Sequence, residues 1–507
     1  MSNADMQVIK SGKRFAIVAV ALVVIGLGIF QPWNDAEYFA NEAYPLDTEI
    51  ERFTNQVMGN NSIPGAAVAI VRNGKVLYSG VFGIADASNP NKKIGALSNF
   101  HLASISKAFV SMALIKKAEA GLIKLDEPVV KYYPPFTMKD PMAGAITIRQ
   151  VMAHRSGIPD VKDYEFDNPS LDSLAICRYV ETLSAQSLEF SPGTAWKYSN
   201  AGYDLLGAVL ARVSGESFET VMKQTVILPL GLTSTTFYYP ETDSALRTTG
   251  HIGKFKPIPV EHYPYNWAHA PSSTLQSNLN EIITFSIKVL PDESGRNALV
   301  SEQSVNEMWT VHGTLNEGLD AALGWFISDH EGSRLIIAAG RDPGFASMIA
   351  LIPNQQVAVV TLTNSAIEPS IQLDFVRGLL DIGLGKPRQS IASISLPVGR
   401  VYEEKGVEAA IAEYYRIMEQ KKEHYATGMA ELTWLINELY KRGRYEDALK
   451  LLDVEYRAFP RCHVCFTYAK VYMKLGNRSQ CEAYYKRWLE YLPEERDQEI
   501  ESYLQGR

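Results

Sequence analysis

The sequence predicts an α+β fold, in which helices flank one antiparallel sheet and an all-α region follows. Two β-rich runs, residues 63–71 and 76–83, flank Asn73-Gly74, which is a strong signal for a β-hairpin. A mainly helical middle comes next, and several strand-like runs come late in the chain. The early and late strands must therefore meet in one sheet.

Four late runs carry the strand signal. They are predicted at residues 323–327, 335–340, 345–352 and 356–363, with a hairpin connection at 353–355 and a closing helix near 371–384. We place the α+β domain at residues 51–385 and a linker at 386–400, where glycine and proline recur.

The C-terminal region, residues 401–507, has the spacing of a helical repeat. Gly443 and Gly476 are 33 residues apart, and so are Pro460 and Pro493. A helix, a glycine turn, a second helix and a proline stop every ~34 residues is the tetratricopeptide pattern. Such repeats present a surface for a protein partner rather than a chemical site. The alternative is a plain helical cap on the first domain.

The composition is that of a globular protein with a large core. Of the 507 residues, 46% are hydrophobic and 21% charged. The length suggests about two to four domains. The formal net charge of −8 argues against a nucleic-acid partner.

The N-terminus reads as an export segment. Lys10, Lys13 and Arg14 precede an apolar run at 15–30, and acidic residues follow it. We predict a cytoplasmic tail at 1–14, a transmembrane anchor or signal segment at 15–31, and a linker at 32–50.

An uncleaved anchor is favoured over a cleaved signal, with a buried N-terminal helix as a third alternative. The positive-inside bias places the rest of the chain outside the cytoplasm. That means the periplasmic side of a bacterial inner membrane, or secretion if the segment is cleaved.

Among the four cysteines, Cys462 and Cys465 form a C-x-x-C motif. No second such motif or nearby histidine pair completes a zinc site, so we predict no metal. Small buried residues in helix packing are the favoured interpretation. A disulfide among Cys462, Cys465 and Cys481 remains open, because connectivity cannot be read from sequence.

The helix that follows Phe100 carries the main candidate site. It is apolar almost all round from Ala108 to Ile115, which is typical of a buried helix. Lys107 lies at its N-terminal end, three residues after Ser104, so both share one helix face. Burying a cation there is costly unless it is paired, but it suits a site that activates a serine. The alternative is that Ser104 caps the helix and Lys107 extends to solvent.

Three short motifs occur in a fixed order: Ser104-x-x-Lys107, Tyr198-Ser199-Asn200, and Gly340 before Pro343-Gly344-Phe345. Together they resemble the serine β-lactamase and penicillin-binding protein superfamily, closest to the class C β-lactamase and D,D-peptidase/esterase-like branch. The resemblance covers roughly residues 50–385. It implies a β-lactamase/transpeptidase-like sheet flanked by helices, with no cofactor.

The resemblance also implies catalytic roles. Ser104 would attack a carbonyl and form an acyl-enzyme, and Lys107 would hold or relay the proton. Tyr198 would be the general acid/base, with a phenol pKa lowered by the nearby ammonium. His154 falls in a structural loop phrase of the family, and we treat it as a packing residue.

The remaining site residues would bind substrate. Asn200 would hydrogen-bond the substrate amide or orient Lys107. The backbone N–H groups of Ser104 and Arg341 would form the oxyanion hole, and Gly340 would let a substrate lie close to the strand. The alternative for Tyr198 and Asn200 is a turn tyrosine and a helix-capping asparagine.

One position departs from the family pattern. Lys or His usually lies two residues before the glycine of the third motif, but this chain has Ala338. That residue supplies neither charge nor proton, which weakens the case for β-lactam or D,D-peptide turnover. Arg341 could replace the charge, but a surface arginine is favoured, because its side chain should alternate differently along the strand.

We therefore predict an extracytoplasmic serine hydrolase that acts through an acyl-Ser104 intermediate. Its substrate would be an ester, an amide, a β-lactam or a D-amino-acid peptide. No G-x-S-x-G elbow, H-E-x-x-H helix or P-loop offers a competing chemistry. The alternative is a catalytically weakened scaffold that recruits partners through residues 401–507.

Overall fold

An eight-stranded antiparallel sheet organises the part of the protein between residues 65 and 363. The structure is a computed structural model and describes residues 47–506 apart from 254–256, 293–294, 296, 317, 387–391, 421–424, 427–431, 459–462 and 493–495. The strands are β1 (Gly65–Arg72), β2 (Lys75–Gly83), β3 (Phe100–His101), β4 (His251–Ile252), β5 (Ile258–Pro259), β6 (Gln276–Ser277), β7 (Gly313–Asn316), β8 (Leu319–Ala321), β9 (Phe326–His330), β10 (Ser333–Asp342), β11 (Phe345–Ile352), β12 (Val357–Thr363), β13 (Ala392–Ser393) and β14 (Tyr425–Ala426). The order of strands in the eight-stranded sheet is β2-β1-β12-β11-β10-β9-β8-β7.

Helices cover the sheet and form most of the C-terminal region. They are α1 (Asp47–Asn60), α2 (Ser106–Glu119), α3 (Val129–Tyr132), α4 (Ile148–Met152), α5 (Ala175–Thr182), α6 (Asn200–Ser214), α7 (Phe218–Met222), α8 (Ala270–Ser273), α9 (Leu279–Val289), α10 (Glu302–Met308), α11 (Pro369–Gly383), α12 (Ser395–Lys405), α13 (Val407–Gln420), α14 (Thr433–Lys441), α15 (Tyr445–Ala458), α16 (His463–Lys474), α17 (Arg478–Tyr491) and α18 (Gln498–Gln505).

The early and late strands meet as predicted. β1 pairs with β12 in antiparallel register, with Ala66 opposite Thr363. β1 also forms the predicted hairpin with β2, and both turn residues, Asn73 and Gly74, have positive φ angles of 51° and 71°. Turns of this kind match the twist of the two strands. The α+β prediction for this part of the chain is confirmed.

The core lies between the sheet and the two helices α1 and α11. Phe53 of α1 and Phe375 of α11 pack with buried strand residues such as Val68 and Val359. Helix α9 lies against β1 and β12, so these strands are covered on both faces. Continuous apolar strands suit such double coverage.

One late strand begins later than predicted. The sequence places a strand at 323–327, whereas β9 runs over Phe326–His330. Gly324 has φ +77°, and a Cβ on it would lie 2.0 Å from Ser111 Oγ. A left-handed residue pressed against α2 cannot continue a strand, so the chain turns there instead.

Helices extend into both predicted linkers. α1 begins at Asp47, inside the 32–50 linker, and α12 begins at Ser395, inside the 386–400 linker. Pro397 favoured a linker in the sequence, but proline is tolerated in a first helical turn, where its missing N–H has no intrahelical partner.

The C-terminal region has its own apolar core. Val398 of α12, Tyr414 of α13, Leu435 of α14 and Leu451 of α15 belong to one buried cluster. A two-residue parallel pair joins β13 to β14, so the all-α prediction was wrong in this detail. Strands this short leave no periodicity to recognise. The tetratricopeptide assignment stays a prediction.

Within the described part of the chain, no helix is long and apolar enough to cross a membrane. The predicted tail, anchor and most of the first linker (residues 1–46) lie outside the described residues. So does Cys462 of the C-x-x-C motif.

Candidate active site

Ser104 lies in a tight turn immediately before α2. The turn is a 3-10 segment, Ala103–Ile105, and Ala103 has φ +47°. A left-handed conformation is unusual for a residue with a Cβ and tends to occur at functional sites. Ser106 fixes the turn, because its hydroxyl donates to Ala103 O at 2.7 Å and accepts from Leu275 N at 3.0 Å.

Lys107 points into the site and is only 3% exposed. Its ammonium donates to Ser104 Oγ at 3.0 Å, to Asn200 Oδ1 at 2.6 Å and to the carbonyl of Ser272 at 2.7 Å. The side chain therefore does not extend to solvent. No side-chain cap precedes α2 among the described contacts, so the capping alternative for Ser104 is wrong.

The buried position of Lys107 changes its proton affinity. Burial lowers the pKa of the amine to about 8, against the opposing effect of Asp204, Asp342 and Asp160. Removing an ammonium from water disfavours the charged form, and nearby carboxylates favour it. Lys107 can therefore exchange a proton near neutral pH.

Tyr198 contacts the same serine from the other side. Its hydroxyl donates to Ser104 Oγ at 2.8 Å, and its ring centroid lies 4.8 Å from Lys107 Nζ. Burial raises the pKa of the phenol well above its ordinary value, although the hydrogen bond to Ser104 opposes this. The expectation of a lowered pKa was wrong, because the ammonium lies over the ring and burial dominates.

Asn200 orients the amine. Its Oδ1 accepts from Lys107, while its backbone N–H donates to Asp160 Oδ1 at 2.6 Å and its Nδ2 to Asp160 Oδ2 at 3.3 Å. Ser199 caps α6 instead, accepting from Gly202 N at 3.0 Å. The capping alternative for Asn200 is therefore wrong.

His154 packs against the catalytic tyrosine candidate. Its ring lies 4.4 Å from that of Tyr198 at 30°, and its Nδ1 accepts from Ser199 N at 3.1 Å. Burial, and then the charge of Lys107, lower the pKa of His154 well below its usual range. The imidazole is thus neutral and supports the ring of Tyr198, in line with the packing role given to it.

The strand β10 passes very close to the nucleophile turn. A Cβ on Gly340 would lie 1.9 Å from Leu102 O and 3.0 Å from Ser104 N, so this approach needs glycine. Arg341 is the next residue, which brings its backbone beside that of Ser104. Its side chain is 45% exposed and lies 3.7 Å from Glu368.

Ala338 shares the strand face of Gly340, since side chains alternate along a strand. It is buried and pairs with Ile349 of β11. Arg341 belongs to the other face, as its contact with Glu368 shows, so it does not replace a charge at position 338. The site therefore lacks a cation where Ala338 lies.

The cleft in front of Ser104 holds about 290 Å³ of space free of protein atoms, which includes open solvent at its mouth. The helical middle of the chain and the late strand region both line it. The lining residues are Ser104, Lys107, His154, Tyr198, Ala322, Gly324, Trp325, Phe326 and Ala339. β9 pairs with β10 only as far as Ile337, so the strand edge from Ala338 to Asp342 runs past the nucleophile without a β9 partner.

Sequence reasoning missed three residues that contact this machinery. Asp160 holds Asn200, Ser272 accepts from Lys107, and Asp342 is one of the carboxylates that raise the Lys107 pKa. They lie in a loop, in α8 and at the end of β10. Only Asp342 carried a usable signal, because it lies two residues after Gly340, within the third motif.

Comparisons with known proteins agree with this geometry. Residues 50–379 match the family model described as Beta-lactamase. Protein flp of Staphylococcus aureus (strain N315) is 28% identical over 319 residues, which cover 62% of each chain, so this chain spans less than two thirds of that relative. Penicillin-binding protein 4* of Bacillus subtilis (strain 168) is 24% identical over 66% of this chain and 75% of that protein.

Solved structures show the same fold. The octameric penicillin-binding protein homologue from Pyrococcus abyssi superposes with a TM-score of 0.59 at 24% identity, over 71% of this chain and 81% of that one. The D-alanine carboxypeptidase AmpC from Burkholderia cenocepacia gives a TM-score of 0.56 at 20% identity, over 66% and 98%. With the family model matching more than half of its length, the chain belongs to the beta-lactamase family.

Proposed function

We propose that the protein hydrolyses esters or amides through an acyl-enzyme on Ser104. One observation carries the proposal: Ser104 Oγ lies 3.0 Å from Lys107 Nζ and 2.8 Å from the Tyr198 hydroxyl. A serine hydroxyl is a weak nucleophile until a base removes its proton, and this serine has a candidate base and a candidate acid within hydrogen-bonding distance.

Lys107 is the better candidate for the base. Its pKa is lowered to about 8, so part of the population carries a neutral amine at neutral pH, whereas the pKa of Tyr198 is raised. The neutral amine accepts the Ser104 proton as Oγ bonds to the substrate carbonyl carbon.

Tyr198 is the better candidate for the acid. Because its phenol keeps its proton, it can donate that proton to the leaving group as the bond to the carbonyl carbon breaks. The backbone N–H groups of Ser104 and Arg341 would stabilise the oxyanion, since Gly340 brings the two segments together. Water then hydrolyses the acyl-enzyme: the Tyr198 phenolate takes a proton from the water as its oxygen bonds to the carbonyl carbon, and the Lys107 ammonium returns a proton to Ser104 Oγ as the acyl bond breaks.

The substrate class follows from the strand edge and from Ala338. An extended amide can hydrogen-bond the open edge from Ala338 to Asp342, as an added strand would. Substrates that need a cation at position 338 for a carboxylate, such as β-lactams and peptides ending in D-alanine, are expected to be poor. Esters and amides without a carboxylate on the leaving-group side are the favoured substrates.

A fluorophosphonate probe tests the proposal. Intact-protein mass spectrometry should show one adduct on the wild type and none on Ser104→Ala. Ser184→Ala, which alters an exposed serine at a distance from the cleft, is the matched control and should label like the wild type. Failure of the wild type to label with fluorophosphonate, ester and penicillin probes alike would disprove catalysis.

A weakened scaffold is the second candidate, and Ala338 is the observation that favours it. In that case residues 401–507 would recruit a protein partner. Affinity capture with the full-length Ser104→Ala variant separates the two functions. A partner retained by this variant, together with no acylation of the wild type, would support the scaffold.

The sequence of residues 15–31 supports placing the catalytic domain outside the cytoplasm, with the chain held at a bacterial inner membrane. Protease added to spheroplasts should then digest residues after 50. Protection until the membrane is broken would contradict this location.

A further inference from the structure

Asp342 is an acidic side chain at the end of the β10 edge that passes Ser104. It shares a strand face with Ala338 and Gly340. Gly340 abuts the nucleophile turn, so Asp342 lies beside the site on the side away from Ala338. This face of β10 thus has no cation at Ala338 but has a carboxylate at Asp342.

Two donors hold this carboxylate. His101 Nε2 lies 2.7 Å from Asp342 Oδ2, and the hydroxyl of Ser273 donates to the same oxygen. The side chain remains 13% exposed. Because both bonds use Oδ2, Oδ1 is left for a ligand as far as the described part of the chain shows.

The surrounding hydrogen bonds establish which ring nitrogen of His101 donates to Asp342. Gln276 Oε1 accepts from Asn99 Nδ2 at 3.1 Å and from the Tyr263 hydroxyl at 2.8 Å. This fixes Gln276 Nε2 as a donor, which contacts His101 Nδ1 at 2.8 Å. Nδ1 therefore accepts this hydrogen bond, and His101 donates to Asp342 from Nε2. The carboxylate is thus fixed in position by hydrogen-bond donors.

The charge of Asp342 reaches the reacting groups. It opposes the lowering of the Lys107 pKa by burial, and it adds to the raised pKa of Tyr164. The nearest arginine along the strand, Arg341, is on the opposite face and lies 3.7 Å from Glu368. The part of a ligand that lies next to Asp342 therefore experiences the negative charge of this carboxylate.

The two ends of the edge would receive different parts of a substrate. Phe326, which lines the cleft, pairs with Ile337 just before Ala338, whereas Asp342 pairs with Phe345 at the far end of the strand. Tyr198 lines the cleft and supplies the proton that a leaving group needs. The leaving group therefore belongs in the cleft, and the acyl part extends towards Asp342.

We propose that Asp342 is a specificity-determining residue that selects acyl groups carrying a cation, such as an ammonium, and disfavours acyl groups carrying a carboxylate. This inference rests on the proposed acyl-enzyme function. A carboxylate held in place by hydrogen-bond donors attracts an ammonium and repels an anion, and the effect grows as the two groups leave bulk water.

Three nitrophenyl esters with the same leaving group test the proposal. Their acyl groups are trimethylammonio-butanoyl, its neutral tert-butyl isostere, and glutaryl, which is anionic. In the wild type, kcat/KM should be about tenfold higher for the cationic ester than for its isostere, and lower still for the glutaryl ester.

Asp342→Asn should reduce the cation-to-isostere ratio to about one. We use the ratio of the two kcat/KM values because any effect that the substitution has on both esters, such as a change in the Lys107 pKa, drops out of it. Glu482→Gln, an exposed glutamate of α17, removes the same charge far from the edge and should keep the wild-type ratio.

The outcomes separate the two proposals. Hydrolysis of the neutral ester without a preference for the cation, or a preference that survives Asp342→Asn, overturns the role of Asp342 alone. If none of the three esters acylates Ser104 although fluorophosphonate labels it, the role of Asp342 is overturned alone. If fluorophosphonate and penicillin fail as well, the proposed function is overturned and this inference with it. Should Asp342→Asn not fold, the wild-type ratio must still fall as ionic strength rises, and a salt-independent ratio contradicts the proposal.

Discussion

Two parts of the site differ in their polar side chains: the nucleophile end, which consists of Ser104, Lys107 and Asn200, and the strand end at Ala338 of β10. Around Ser104, each polar group of Lys107 and Asn200 is held by a partner inside the chain, at distances of 2.6 to 3.3 Å. At Ala338 the strand offers only a methyl group. Internal hydrogen bonds thus position the groups that transfer protons, whereas substrate binding depends on the side chains along the edge of β10.

The largest expected effect comes from removing the base. Lys107→Met keeps the volume but leaves Ser104 unactivated, so kcat/KM should fall by about a thousandfold or more. Ester hydrolysis and fluorophosphonate labelling measure it. Lys124→Met, an exposed lysine, should behave as the wild type. Retention of activity in Lys107→Met would mean that the nucleophile end does not depend on this amine.

Removing the acid should have a smaller and more selective effect. Tyr198→Phe is expected to lower kcat/KM by about a hundredfold for an anilide and much less for the matching nitrophenyl ester. A nitrophenolate leaves without a proton, whereas an anilide nitrogen needs one. An equal loss for both substrates would assign Tyr198 to activating Ser104 instead.

The close approach of the strand can be broken on its own. Gly340→Ala places a methyl group 1.9 Å from Leu102 O, so β10 must move away from the nucleophile turn. We expect kcat to fall about tenfold or more, because the oxyanion donors separate. Gly59→Ala meets no atom within 4 Å and is the control. Unchanged kcat in Gly340→Ala would argue against an oxyanion hole formed by these segments.

A cation introduced at position 338 should improve the turnover of substrates that carry a carboxylate. Ala338→Lys is expected to raise kcat/KM about tenfold for substrates with a carboxylate on the leaving-group side, such as a D-alanine-terminated depsipeptide. Uncharged esters should respond less. A variant that folds, with the wild-type melting temperature, yet shows no gain would mean that position 338 does not face the leaving group.

The mildest test is the pH profile of the wild type. A lysine acting as a base must lose its proton, so kcat/KM should be low below its pKa and rise through about pH 8. The Tyr198 pKa lies higher and should not limit this rise. A rate that falls above pH 8 would reverse the assignment, with a tyrosinate base beside a charged Lys107.

Local patterns account for what the sequence predicted well. The Asn73-Gly74 hairpin and the run that forms β11 are signals contained in a few consecutive residues. Ser104 and Lys107 are three residues apart, and a single helical turn brings them together. These features need no knowledge of distant contacts.

The remaining features depend on tertiary contacts. Asp160 and Ser272 reach the site through loops and short helices whose placement leaves no local pattern. The direction of the Tyr198 pKa shift depends on how deeply the phenol is buried, and the ordered sequence motifs do not reveal that burial. The start of β9 was missed because Gly324 turns only where it meets Ser111.

The three partners of Lys107 also fix the direction of proton transfer. A neutral amine has two N–H groups and one lone pair. Asn200 Oδ1, whose amide donates to Asp160, and the carbonyl of Ser272 can only accept, so each requires an N–H. The lone pair is then left facing Ser104 Oγ. Deprotonation therefore aims the amine at the nucleophile without any rotation of the side chain.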